Sequence, residues 1–314
     1  MRTLTHKVAS EGQIKTIARF AGDAAEKAVK DFTGLSKEGA ELVKGDAYFT
    51  ARIREATTAI LKDLSITNRY KKEEVKPRWP YPASYKCNTI ERQIDILRSA
   101  ENFPFLNPDA AIKYYCEVYA TLPQPEWVEG PFIIIPTTAF KKHCFHDADG
   151  AELLCNAVNL GIEKLGASGS FYNWYAGEIT TDRFRRKARY VPMYERLYAT
   201  QPNSDLIIVG GQYGKFHGGQ SMRRALERMR GQVSECPAGA LEGVVMALAN
   251  PTRYSKWDEL ETDFPADEFR PDEEDEFSLS PFLNFNDDVL GFRMGGADYT
   301  DGYYGSVSLS VPQA

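Results

Sequence analysis

Residues 204–230 read SDLIIVGGQYGKFHGGQSMRRALERMR, and no other stretch restricts the fold as tightly. An apolar, β-branched run gives way to five glycines within twelve residues, and these to an apolar stripe at helical spacing, Met222, Ala225, Leu226 and Met229. A short apolar run without polar alternation reads as a strand covered on both faces. A doubly covered strand that feeds directly into a helix demands layers of helix against sheet. FIIIP, residues 132–136, is a second such run, stopped by proline. The roughly seventy mostly helical residues between the two runs are compatible with a parallel pair.

Elsewhere the chain sorts by period. Ile14, Ile17, Ala21, Ala24, Ala28 and Phe32 recur at three- and four-residue steps, as do Phe49, Ile53, Ala56, Ile60 and Leu64, which predicts amphipathic helices before residue 65. Residues 66–88, with three prolines and no clean period, read as an extended connector with aromatic anchors. Thr89 is placed to cap a short helix ending near Arg98, and Asn107 with Pro108 to start another running to about Ala120. Further helices are expected on Leu153, Leu154, Ala157, Val158, Ile162 and Leu165, and on Phe184, Ala188, Val191 and Tyr194, the latter bent or restarted near Pro192. Another begins at Pro237, buries Leu241, Val244, Val245 and Leu248, and ends at Asn250 and Pro251. From Phe277 the tail reads as β-rich: FLNFNDDVLGFRM as two strands around an Asn-Asp-Asp turn, and SVSLSVP as a half-buried strand alternating Val307, Leu309 and Val311 with serines. The expected fold is α+β, or mixed α/β. It has a helical region over residues 1–125, with its connector at 66–88, followed over 126–314 by a mixed sheet flanked by helices, with an acidic loop at 258–276.

A chain of 314 residues can bury a large core and, by length, form one or two domains. Its net charge of −6 conceals a strong polarity. Residues 182–230 carry eleven Lys or Arg against four acids, for +7, whereas residues 258–276 carry eleven acids against Arg270, for −10. Runs of like charge are usually solvated. The acidic segment is therefore expected either as a solvated loop or as a cover on the basic surface, competing there with a bound anion. Overall negative charge disfavours broad nucleic-acid binding and leaves room for a local basic site. No stretch approaches the roughly 18–20 uncharged apolar residues of a membrane span, and the opening MRTLTHKVASEGQIK lacks the apolar core of a signal peptide, so a cytoplasmic protein without a membrane segment is expected. Five widely spaced cysteines, Cys87, Cys116, Cys144, Cys155 and Cys236, argue for reduced thiols.

The order strand, glycine-rich turn, helix aims backbone N–H groups and the positive end of a helix at an anion. Gly210, Gly211, Gln212, Tyr213, Gly214, Lys215, Gly218 and Gly219 would form that loop, Ser221 would cap the helix, and Arg223 and Arg224 would stand in its first turn. The spacing is neither G-x-x-x-x-G-K-[ST] nor G-x-G-x-x-G, because Lys215 precedes Gly218 and Gly219 and no Ser or Thr follows it. A plain turn into a helix with a solvated basic face is the alternative. In GASGSFYNWYAGEITTDRFRRKAR, Tyr172, Asn173 and Trp174, with Tyr175 and Glu178, are of the types that stack on a flat ligand and bond its edge, as proteins do with bases and sugars, or that plug one end of a core. If both loops converge, His217 and Glu178 form a general acid–base pair, with Arg183, Arg186 or Arg223 left to neutralise an anion. His143, Cys144, His146 and Cys155 are zinc-type ligands, but their spacing matches no common finger and no metal is expected.

FYNWYAGE, QYGKFHGGQSMRRA, ALANPTRY and YYGSVSLSVPQ together resemble a family of uncharacterised bacterial proteins with no assigned activity, over roughly the C-terminal two thirds of the chain. The resemblance implies a bacterial or bacteriophage-type cytoplasmic protein and supplies no mechanism. The residues themselves point to a phosphate-anion-binding protein, for a nucleotide or a nucleic acid, that uses the glycine-rich loop and the arginine helix. No cofactor is assigned. One alternative is an enzyme acting on a nucleotide-like or phosphorylated substrate. Another is a structural or interaction protein that meets a protein partner or a second copy of itself.

Overall fold

A computed structural model describes residues 10–32, 34, 36–44, 46–64, 68–232, 234–272 and 276–311. Contacts divide the chain into two compact units, Met1–Ser65 and Ile66–Ala314. The first unit holds α1 (Glu11–Asp31), α2 (Lys37–Lys44) and α3 (Ala47–Leu64). α1 starts in a capping box, where Ser10 Oγ accepts from the Gln13 N–H and Gln13 Oε1 accepts from the Ser10 N–H. Its apolar stripe, Ile14 and Ile17 included, is exposed. The side chains of Ile60 and Leu64, expected on the stripe of α3, lie outside the described residues.

In chain order the second unit runs α4 (Ile90–Leu97), α5 (Asp109–Glu117), β1 (Gly130–Ile134), α6 (Thr137–His143), α7 (Gly150–Ala167), β2 (Phe171–Asn173), β3 (Phe184–Arg186), α8 (Val191–Ala199), β4 (Ile207–Gln212), α9 (Met222–Met229), β5 (Glu235–Pro237), α10 (Ala240–Ala249), β6 (Glu261–Asp263), β7 (Asp267–Phe269), β8 (Leu279–Asn286), β9 (Val289–Gly296), β10 (Tyr304–Ser306) and β11 (Ser308–Ser310). The protein is α+β: a helical N-terminal region followed by two sheets with helices interspersed. The division falls at residue 65 rather than near 125, because Ile90, Ile94 and Leu97 of α4 belong to the core of the second unit. The connector lies along that unit as a strap, with the Val75 N–H donating to Gly219 O and the Arg78 N–H to Gly302 O, each at 2.7 Å. Thr89 caps α4, accepting from the Arg92 N–H.

The first sheet has four strands in the order β1-β4-β11-β5, and every pair is antiparallel. The two apolar runs are therefore neighbours, Phe132 opposite Val209, but not the parallel pair their spacing allowed. Between them the chain leaves for the second sheet, where it forms β2 and β3, so no single crossover helix joins the two strands. β11 lies inside the sheet, so Ser308 is buried along with Val307 and Leu309, rather than facing solvent. α10, apolar and buried along its length, packs against α4, α7 and β1 at the centre of the core.

The second sheet has seven strands. β2 pairs with β9 and β9 with β8, whose other edge is shared by β6, which continues to β10, and by β7, which continues to β3. It is mixed: β2–β9 and β10–β6 are parallel, the rest antiparallel. The β8–β9 hairpin turns at Asp287 and Asp288, with φ of 50° and 61°, the left-handed pair that a two-residue turn of matching twist requires. Two sequence expectations change here. Phe184–Arg186 is a strand rather than the start of a helix, and the acidic segment is a pair of strands, β6 and β7, over its first half. The cause is charge pairing across the sheet: Arg185 lies opposite Glu268, with Nε 2.7 Å from its carboxylate, and Arg186 lies opposite Asp267. Arg186 is buried, with Nε 2.9 Å from Asp267 and Nη2 2.6 Å from Glu242, both fully buried. Residues 273–275 of the acidic segment lie outside the described residues. Among the described residues, no helix is long and apolar enough to cross a membrane.

Candidate functional site

Strand, turn and helix over residues 207–229 follow the sequence, with Ser221 at the N-cap of α9 accepting from the Arg224 N–H at 3.1 Å. The glycines serve the backbone. Gly210, Gly211 and Gln212 belong to β4 itself, and Tyr213 is buried with its hydroxyl on Gly243 O. Gly214 has φ +104°, and a Cβ there would sit 2.8 Å from Gly305 O, so two backbone segments meet where no side chain fits. Gly218 and Gly219 face the strap at Pro77 and Val75. Lys215 is exposed, its Nζ 5.7 Å from the ring of Tyr81.

The arginines of α9 already hold carboxylates. Arg223 Nε and Nη2 lie 2.6 and 2.5 Å from Glu73, which also accepts from Ser221 Oγ at 2.7 Å. Arg224 Nε bonds Glu74 at 3.1 Å and its Nη1 bonds Glu227 at 2.8 Å. Against the opposing effect of burial, the bonds from Arg223 and Ser221 hold the Glu73 carboxyl below its ordinary value. The strap's two glutamates thus stand where a phosphate at this helix start would stand. Nor do His217 and Glu178 meet: His217 is buried with Nε2 2.7 Å from Glu235, and Glu178 pairs with Arg183 at 2.9 Å. His143 lies 2.9 Å from Asp205, and among the described residues no group of three or more His, Cys, Asp or Glu is placed to hold a metal ion.

Tyr172, Asn173 and Trp174 lie on and just beyond β2, at the edge of the seven-stranded sheet. Alternation turns Phe171 and Asn173 to one face, where Phe171 meets α7 at Gly166 and Asn173 Oδ1 accepts from the Tyr175 N–H at 2.9 Å. Tyr172 and Trp174 take the other face, and the strand register extends it. Tyr172 is level with Gly291, Gly291 with Asn284, and Glu261 with Tyr304, while the pairs Thr262–Leu283 and Asp263–Phe282 set Glu261 beside Asn284. A second row, one strand repeat along, holds Trp174, Arg293, Phe282, Asp263 and Ser306. Gly291 leaves a notch in the first row. A Cβ there would fall 2.6 Å from both Asn284 Oδ1 and Trp174 Cζ3, so the amide and the indole share the space of the missing side chain.

Above the notch the surface is aromatic. Tyr172 is 55% exposed and Trp174 43%, their rings edge to face with centroids 4.4 Å apart, and the Arg293 guanidinium lies 3.7 Å from the Trp174 ring centre. Below it the floor is polar and closed: Asn284 is 6% exposed, Glu261 8% and Asp263 1%. Asn284 Oδ1, Glu261 Oε2, Asp263 Oδ1 and Arg293 Nε are buried and have no hydrogen-bond partner among the described residues. Each such orphan costs on the order of 1–3 kcal/mol, so this floor is a poor arrangement for stability alone. Burial pushes the Glu261 carboxyl up to about 7, against the effects of Tyr304, Asn284 and Arg293. Burial and the neighbouring Glu261 push Asp263 well above its ordinary value. Beside the aromatic pair opens a cavity of about 430 Å³, walled by Tyr172, Trp174, Asn286, Asp287, Val289 and Arg293. That volume suits a small ligand with one or two rings.

No family model, curated protein or solved structure matches the chain. What the site does is therefore argued from its side chains. Sequence reasoning found Tyr172 and Trp174 but missed Asn284, Gly291, Arg293, Glu261 and Asp263. One local signal pointed to the acids: Glu259, Glu261 and Asp263 alternate with Leu260 and Thr262, a strand period within a segment read by its charge.

Proposed function

We propose that the protein binds a ligand carrying a nucleobase on the open face of its seven-stranded sheet, and not in the glycine-rich loop. The observation that supports this is the exposed Tyr172–Trp174 pair, backed by the Arg293 guanidinium and standing over buried polar atoms that lack partners. Flat rings stack on such a surface whatever their identity, and hydrogen bonds at the ring edge supply orientation. Bare phosphate is less well served, because among the described residues Arg293 is the only cation on the cavity wall and Asp287 stands on the same wall. The loop helix offers no better place, since Glu73 and Glu74 already hold Arg223 and Arg224. Five free cysteines fit a cytoplasmic setting for this binding.

The test is calorimetric titration of the full chain with adenosine, guanosine and cytidine, using methyl glucoside and inorganic phosphate as controls. Nucleosides should bind and the controls should not. Trp174→Ala should lose about 1–3 kcal/mol, roughly fivefold to a hundredfold in affinity. Arg223→Ala should leave binding unchanged. Absence of nucleoside binding, or a loss with Arg223→Ala and none with Trp174→Ala, would refute the reading.

A further inference from the structure

We propose that this site selects guanine among the bases, an inference that rests on the base-binding reading and adds the identity of the ring. The unpartnered atoms of the floor set what a ligand edge must offer. Three of them are acceptors, Asn284 Oδ1 on β8 with Glu261 Oε2 and Asp263 Oδ1 on β6, and Arg293 Nε on β9 is a donor. Asn284 and Glu261 lie in the row level with the Gly291 notch, whereas Asp263, 1% exposed, lies one strand repeat along. An ionised carboxylate only accepts hydrogen bonds, and a guanidinium only donates them. The ligand edge that completes this floor must therefore bring two donors side by side and one acceptor.

Among the four bases, only guanine has that Watson–Crick edge, with N1–H and the N2 amine adjacent and O6 beyond them. Adenine and cytosine each place one amine next to an acceptor nitrogen, and uracil sets a single N–H between two carbonyls. Guanine N1–H and N2–H pair with the Glu261 carboxylate, Asn284 Oδ1 takes the second amine hydrogen, and O6 accepts from Arg293. The notch at Gly291 gives the ring its place. The Trp174 indole, which lies over Gly291 in the free chain, moves aside and stacks on the base that replaces it. Gly291 is needed because a side chain there would occupy the notch itself, 2.6 Å from Asn284 Oδ1.

Recognition of this kind depends on the proton at Glu261. Its titratable or charged neighbours among the described residues include Asp263 on the same strand, Tyr304 on β10, Asp301 and Tyr303 just ahead of β10, and Arg293 on β9. With its carboxyl pushed up to about 7, Glu261 must lose a proton before it accepts from both guanine donors. Guanosine affinity should therefore rise about tenfold per pH unit below 7 and level off above it.

The experiment is a titration of the full chain with guanosine, inosine, adenosine and cytidine at pH 8, repeated with guanosine at pH 6. Inosine keeps N1–H and O6 and lacks only the N2 amine. Guanosine should bind at least about tenfold more tightly than inosine, and more tightly still than adenosine, because a site built around a donor strongly rejects an analogue without it. Glu261→Gln, with near-ultraviolet circular dichroism to establish that it is folded, should reduce the preference for guanosine over inosine and remove the rise of guanosine affinity between pH 6 and pH 8. The wild-type panel decides the question even if that variant does not fold. Equal binding of the four nucleosides overturns guanine selectivity and leaves the base-binding reading standing, whereas binding of none overturns both.

Discussion

Replacing Glu261 with Gln should make the protein more stable at pH 8 and change it little at pH 5. The carboxyl is 8% exposed and its oxygen Oε2 has no partner, so burial favours the neutral form and pushes the group from an unfolded value of 4.5 to about 7. Between those values the folded chain keeps a proton that the unfolded chain has released. The unfolded state binds fewer protons there, so stability falls as pH rises through the window, and the full cost is present above pH 7. At about 1.4 kcal/mol per tenfold, the span from 4.5 to about 7 costs about 3 kcal/mol, most of it between pH 5 and pH 8. Gln carries no proton to release and nearly the same shape. The assay is urea unfolding at both pH values and constant ionic strength, for wild type and variant. Glu129, remote from the substitution, is common to both chains and largely cancels, whereas Asp263, raised in part by Glu261, relaxes toward its ordinary value in the variant and flattens the pH dependence in the same direction. The pH dependence of the variant should be shallower by about 2–3 kcal/mol. Parallel curves would refute the claim that a buried carboxyl held up by burial lies in this floor.

Arg186→Ala should destabilise the second unit by about 3–5 kcal/mol in the same assay, because Asp267 and Glu242 would be left buried without their cation. Arg186→Lys should restore only part of this, since one ammonium cannot reproduce the forked contacts to both acids. Gly214→Ala should cost about 1–3 kcal/mol, read as a lower Tm, because Ala is strained at φ +104° and its Cβ would meet Gly305 O at 2.8 Å.

Where information was local, the sequence was legible. β4, the turn at Gly214, the Ser221 cap and α9 follow from an apolar run, glycines and a helical stripe within one stretch of chain. The β8–β9 hairpin follows from Asn-Asp-Asp between two alternating segments. The charged segments were misread because their partners are remote. The acids of β7 pair with the arginines of β3, some eighty residues earlier, so of the two readings of this segment the one that set acids against the basic residues holds for Asp267 and Glu268, as sheet rather than as a loop. Likewise, Arg223 and Arg224 read as a basic helix face until Glu73 and Glu74, 150 residues away, are laid over them by the strap. The site behaves the same way. Tyr172 and Trp174 stood out as clustered aromatics, but only strand register brings Gly291, Asn284 and Glu261 level with Tyr172, and nothing near Gly291 or Asn284 in the sequence marks them.

The central claim is the location of the ligand site, and amide chemical-shift mapping of the full chain titrated with guanosine tests it most directly. Shifts are expected at Tyr172, Trp174, Asn284, Gly291 and Arg293, with the amides of Gly214, Lys215, Gly218 and Gly219 unmoved. Shifts confined to the glycine-rich loop and the start of α9, or none anywhere, would contradict it.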